Sequence, residues 1–98
     1  MQIRKKGSAP VVTLALVGRL DTNTAPQLDA ALNTVLEGVR ELTLDMQELE
    51  YLSSAGLRSL LAAQKRMAKQ GSMVLCNVNE AIMEVFELTG FSSILEIR

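Results

Sequence analysis

The chain predicts an α/β fold, a mixed β-sheet flanked by α-helices in the order β-β-α-β-α-β-α-β. Two observations carry the prediction. Short apolar runs with strand character, "VVTLALVG", "ELTLDM" and "SMVLCN", recur along the chain. Between them lie longer segments whose leucines and valines repeat at helical spacing. Strands alternating with helices imply parallel pairing and right-handed crossovers.

Each element has its own signal. "QIRKK" (residues 2–6) reads as an edge strand, because its charges suit an exposed edge. "GSAP" turns the chain. "VVTLALVG" (residues 11–18) is nearly continuous in apolar residues, the pattern of a central strand covered on both faces. "RLDTN" follows as a loop. Thr24 and Gln27 then fit a capping box, with Pro26 tolerated in the first turn. Leu28, Leu32, Val35, Leu36 and Val39 form the apolar stripe of the first helix. "ELTLDM" (residues 41–46) alternates as a strand does, and "QELEYLSS" (residues 47–54) reads as a loop. Leu57, Leu60, Leu61, Met67 and Ala68 mark a second helix over residues 55–70, with Lys65, Arg66 and Lys69 near its C-terminus and Gly71 as its stop. "SMVLCN" is another buried strand. Asn79 caps a third helix through Ile82, Val85, Phe86 and Leu88, which Gly90 ends, with Phe91 making the accompanying apolar contact. "SILEI" closes the chain as a strand.

The length of 98 residues suits a single domain over residues 1–98, and 48% hydrophobic content is enough to build a core. There is no internal repeat, linker or low-complexity segment. The net charge of -1, from 10 basic and 11 acidic residues, and an aromatic content of 3% argue against nucleic-acid binding. With no histidine and one cysteine, zinc sites, Ser-His-Asp and Cys-His chemistry are effectively excluded, and no metal or cofactor is expected. A lone cysteine fits a reducing compartment, and Cys76 in "MVLC" reads as a buried small hydrophobe. "MQIRKKGS" leads into no segment apolar enough for a signal peptide, and no run reaches membrane-span length, so no membrane insertion and a cytoplasmic location are expected.

The alternating order has a functional consequence. Loop 18–24 and loop 47–54 each follow a parallel strand, so both emerge at the carboxyl edge of the sheet, where open α/β sheets place their sites. The second loop ends in "YLSSAGLRSLL" (residues 51–61). Ser53 or Ser54 is a natural N-cap. A nucleophile would need an adjacent base, and neither the G-x-S-x-G elbow nor a G-x-x-x-x-G-K-[ST] phosphate loop is present, so the chain is not expected to be an enzyme. An exposed serine at a helix start is also open to a kinase, because added phosphate meets free N–H groups and the positive end of the helix dipole.

At this point the chain resembles the STAS domain family, specifically the bacterial anti-sigma factor antagonists. "VGRLDTNTAPQL" is similar to the family's G-x-L-D-x-x-x-A element. "LTLDMQELEYLSSAGLRSLLAAQKRM" resembles the strand, loop and helix that carry its D-S-S-G-L-type phosphorylation motif, and "VNEAIMEVFELTGF" resembles its third helix. The resemblance implies partner switching. The unmodified protein binds an anti-sigma factor with serine kinase activity and so frees a sigma factor, phosphorylation separates the pair, and a serine phosphatase resets it. By position, Ser54 matches the phosphoacceptor, with Ser53 the alternative. Ser53 itself stands where the family commonly has aspartate, and Ala55 where it often has a second serine; Gly56, Leu57 and the acidic Asp21 match directly. Asp21, Thr22, Asn23, Ser53, Ala55, Gly56, Leu57 and Arg58 would form the docking edge. Asp21 has an ordinary alternative, an Asx-turn that holds its loop. Two other functions remain open: a constitutive STAS subunit of a lipid-transport or stress-signalling assembly, and a small-molecule or nucleotide binder at the sheet edge.

Overall fold

The run of apolar residues that begins at Val11 becomes the strand around which everything else is arranged. In the computed structural model, which describes all 98 residues, this strand is β2 (Val11–Leu20). It is preceded by β1 (Gln2–Ser8) and followed by α1 (Ala25–Val35), β3 (Glu41–Asp45), β4 (Leu49–Leu52), α2 (Ser54–Ala68), β5 (Ser72–Cys76), α3 (Glu80–Thr89), a 3-10 turn (Phe91–Ser93) and β6 (Glu96–Ile97). The sheet runs β1-β2-β3-β5-β6, with β4 also paired to β2. β1 is antiparallel to β2 and all other pairings are parallel, so the sheet is mixed, as expected. β1 is an edge strand, and its Arg4, Lys5 and Lys6 are exposed.

The order differs from the sequence expectation at one place. Residues 49–52 of the expected loop form β4. β2 is shared between two partners: Val11–Ala15 pair with β3, and Gly18–Leu20 pair with β4. The register slips between Gly18 and Arg19, because Gly18 faces Leu49 while Arg19 faces Tyr51. Glu50 is the extra residue of a β-bulge. Leu49 and Leu52 are consequently both buried although three positions apart, a spacing that breaks the two-residue period of a strand.

The core forms on one face only. Val12, Leu14 and Leu16 of β2, Leu42 and Leu44 of β3, and Met73 and Leu75 of β5 are buried with Leu28, Leu32, Leu57, Leu60, Met67, Ile82 and Phe86 of the helices. The opposite face carries Thr13, Ala15, Val17, Thr43, Asp45, Val74 and Cys76, all half-buried. Coverage of both faces is thus corrected: β2 alternates between buried and half-exposed positions instead of being enclosed. Cys76 is likewise only half-buried, and burial together with the neighbouring Asp45 raises its thiol pKa, which keeps it protonated at neutral pH.

Other corrections are local. Leu88 belongs to the outside of α3, 79% exposed. The final strand is two residues long, because the chain turns through Phe91–Ser93 first. Gly90 does close α3, at φ 80°. Gly71 follows α2 for a different reason from a left-handed cap, since a Cβ there would collide with the backbone of Arg40. The antiparallel β1 starts opposite Val17 and the parallel β6 ends opposite Leu75, so Met1 and Arg98 both lie at the carboxyl edge.

Candidate functional site

Two short backbone arrangements create the carboxyl edge. The first follows β2. Asp21 Oδ1 accepts the N–H groups of Asn23 (2.9 Å) and Thr24 (3.1 Å) in an Asx-turn. Thr24 Oγ1 accepts the N–H of Asp21 at 2.9 Å and donates to the Arg19 carbonyl at 2.7 Å. The expected Thr24–Gln27 capping box does not form. Thr24 occupies the N-cap position without a side-chain cap bond, and Gln27 Nε2 instead donates to the Met1 carbonyl at 2.9 Å. Asp21 orders the turn before the helix instead: its carboxylate holds the Asn23 and Thr24 N–H groups, and its backbone carbonyl accepts the Ala25 N–H at 2.8 Å.

The Asp21 carboxylate is held. Its side chain is 22% exposed, and Oδ2 lies 3.6 Å from Arg19 Nε. Burial works against its ionisation, yet the N–H groups of Thr24 and Asn23, the Thr24 hydroxyl and the Arg19 cation together bring its pKa below the usual value. Arg19 also stacks on the Tyr51 ring, 4.1 Å from its centroid. Sequence reasoning missed both Arg19 and Tyr51. Tyr51, 43% exposed, sits in the segment read as loop, and only the bulged pairing of β4 brings it opposite Arg19.

The second arrangement starts α2. Ser53 is extended (φ -96°, ψ 174°), and its Oγ accepts the Gly56 N–H at 3.3 Å, so Ser53 is the N-cap. The Ser53 N–H donates to the Leu20 carbonyl at 2.9 Å, and Leu20 pairs with Leu52. Asp21 and Ser54 therefore each lie one residue beyond a hydrogen-bonded junction. Ser54 is the first helical residue, exposed, and its hydroxyl has no hydrogen-bond partner. The two serines, indistinguishable as caps in the sequence, have separate positions.

The expected docking residues divide in the same way. Thr22, Asn23 and Arg58 are exposed, like the expected phosphoacceptor Ser54, and Asp21, Ser53 and Ala55 are half-buried. Gly56 and Leu57 are corrections, because they lie inside. Leu57 is 6% exposed. A Cβ on Gly56 would come within 2.7 Å of Leu20 Cγ and Leu52 Cδ1. Both seat α2 on the sheet and do not offer a surface to a partner. Between α1 and α2 runs a groove of about 430 Å³, with Thr22, Ala55 and Arg58 at the end nearest this edge and Asp29, Asn33 and Arg66 further along. No group of three or more acidic or thiol side chains is placed to hold a metal ion, and no helix is long and apolar enough to cross a membrane.

A family model described as "Mlab, STAS domain" matches residues 1–96. The chain belongs to the STAS domain family. Among relatives of this STAS domain is a protein of Bordetella bronchiseptica named as an anti-sigma factor antagonist, BtrV, 40% identical over 84 residues that make up 84% of this chain and 72% of that protein. Among solved structures, an anti-sigma factor antagonist from Mycobacterium paratuberculosis superposes with a TM-score of 0.87 at 24% identity, over 98% of this chain and 83% of that one. The Bacillus cell fate determinant SpoIIAA in its phosphorylated form superposes with a TM-score of 0.75 at 20% identity, over 99% of this chain and 91% of that one. At these identities the two superpositions establish the fold.

Proposed function

We propose that this STAS domain is an anti-sigma factor antagonist that works as a phosphorylation-controlled partner switch. The observation that carries the reading is the separation of the two serines. Ser53 satisfies the helix end, which leaves the Ser54 hydroxyl exposed and without a structural task. The name of the Bordetella relative supports the antagonist role, and the phosphorylated form of the Bacillus protein supports control by phosphate on this fold.

The partner is an anti-sigma factor with serine kinase activity, which brings the ATP and magnesium, and the pair acts in the cytoplasm. The domain binds and does not catalyse. In the modification step a bond forms between Ser54 Oγ and the γ-phosphorus of ATP. The bond from that phosphorus to the β-phosphate oxygen breaks, ADP leaves, and the hydroxyl proton passes to a base of the kinase. A serine phosphatase reverses the state by adding water to phosphorus, returning the proton to Ser54 Oγ and releasing inorganic phosphate. The added charge of about −1.5 to −2 falls on the same carboxyl edge as the held Asp21 carboxylate and makes the surface the partner meets more negative.

One observation favours a second reading, a constitutive subunit. Ser53 replaces the family's usual aspartate next to the acceptor and is already used as a cap. The discriminating experiment combines phosphosite mapping of the protein isolated from its own cells with a quantitative pull-down. The switch predicts phosphate on Ser54, and a kinase-like anti-sigma partner retained by the wild type and Ser54→Ala but lost from Ser54→Asp. An unphosphorylated Ser54, with one partner held equally by all three baits, would establish the constitutive subunit instead.

A further inference from the structure

Arg58 differs from every other arginine of the chain. Arg4 pairs with Glu48, Arg19 with Asp21, and Arg98 with Glu96. Arg40 donates to the Gln70 carbonyl and Arg66 to Asn33 Oδ1. Arg58 is exposed and has neither an ion-pair partner nor a hydrogen bond, although it stands at the head of the groove between α1 and α2.

Its position relative to Ser54 is set by the helix. Both residues belong to α2, four positions apart. Residues at this spacing are surface neighbours, with Cβ atoms about 5–6 Å apart. Helical side chains also lean toward the N-terminus, so a long side chain covers the turn before its own Cα. A guanidinium on Arg58 therefore reaches back over the turn that begins with Ser54. Arg19, the other cation at this edge, is already engaged by Asp21 and stacked on Tyr51.

We propose that Arg58 is the internal receptor for the phosphate on Ser54, so that modification withdraws the one free guanidinium from the docking surface. The proposal rests on Ser54 being the phosphoacceptor. The planar fork of arginine matches two phosphate oxygens at once, a geometry lysine does not offer. The unmodified chain presents Arg58 to an acidic side chain of its partner. The phosphorylated chain ties it to its own helix. Release then has two causes, a new negative charge and a lost positive one.

The test installs phosphoserine at position 54 of the full chain during translation and follows the phosphate by phosphorus NMR as pH is varied. Wild type, Arg58→Gln, Arg58→Lys and Arg66→Gln are compared, each first shown to be folded by its melting curve. The charged groups of this edge are Asp21, Arg19 and Arg58, with Asp29 lining the same groove as Arg58. Loss of Arg58 raises the second phosphate pKa by about 0.2–0.4 pH unit. Arg58→Lys gives a smaller rise, and Arg66→Gln, two turns further along, gives none. Coincident titrations of wild type and Arg58→Gln overturn the proposal. Because the phosphate is installed without a kinase, that outcome is separate from failure to find phosphate on Ser54 in cells.

Discussion

Ser53 and Ser54 are chemically identical neighbours, yet the start of α2 gives them different energetic weight. Ser53→Ala removes the acceptor for the Gly56 N–H and is expected to cost about 1 kcal/mol. Ser54→Ala removes no hydrogen bond and should stay within about 0.5 kcal/mol of wild type. Urea unfolding of the two variants measures the difference, and equal losses would contradict the assignment. The sequence could not have separated them, since both are good caps and the choice depends on which one is extended. Asp21 gives a pH-dependent prediction. Its pKa is lowered on folding, so its stabilising contribution is present above the unfolded value of about 3.9 and is lost as pH falls through the lower folded value. Asp21→Asn should therefore reduce stability at neutral pH and make it less dependent on pH below about 4. An unchanged acid limb in the variant would show that the carboxylate is not held as described. The alternation and spacing of the apolar residues made Asp21's loop legible, but not its bond partners: the Thr24–Gln27 pair matched a known pattern that an aspartate three residues earlier displaced.

Among the elements, α2 and β4 position the site, and they were unequally visible. The leucine stripe of α2 announced it. β4 was hidden, because its bulge at Glu50 puts both buried leucines out of the two-residue period of a strand. Gly56 is the contact between the two. Alanine there would ordinarily favour the helix by about 1 kcal/mol, but its Cβ would meet Leu20, Leu52 and, at 2.9 Å, the Leu20 carbonyl oxygen. Gly56→Ala is expected to destabilise by about 1–3 kcal/mol net, and a variant more stable than wild type in thermal unfolding would disprove the close approach. Asn79 is a second clasp. It caps α3 by accepting the Ile82 N–H (2.9 Å) and donates to the Leu49 carbonyl (3.1 Å), joining that helix to β4. The cap was legible from its place before the helix, while the bond to Leu49 depends on a strand the sequence did not disclose. Asn79→Ala should cost about 1–2 kcal/mol, measured in the same way.

For the whole molecule, the order of strands and helices was readable, β4 apart, because each of the others carries its own period. The enclosure of the sheet was not. Ala15 and Val17 extend the apolar run of β2, but a half-exposed sheet face accepts small and β-branched residues as readily as a core does. The half-covered sheet should open from its C-terminal edge. Amide exchange is expected to be slowest in β2 and β3, where the pairing is central, and fastest in the two-residue β6. Equal protection of β6 and β3 would refute that gradient. The placement of Met1 and Arg98 has a practical bearing. Both ends emerge on the same side as Ser54, and the Met1 carbonyl is bonded to α1 itself. Anything tethered to either end, whether an affinity tag, a fluorophore or a second polypeptide, is held over the proposed docking edge at high effective concentration. A bulky tag would act as a competitor, whereas a small dye would report partner arrival without a label on the partner.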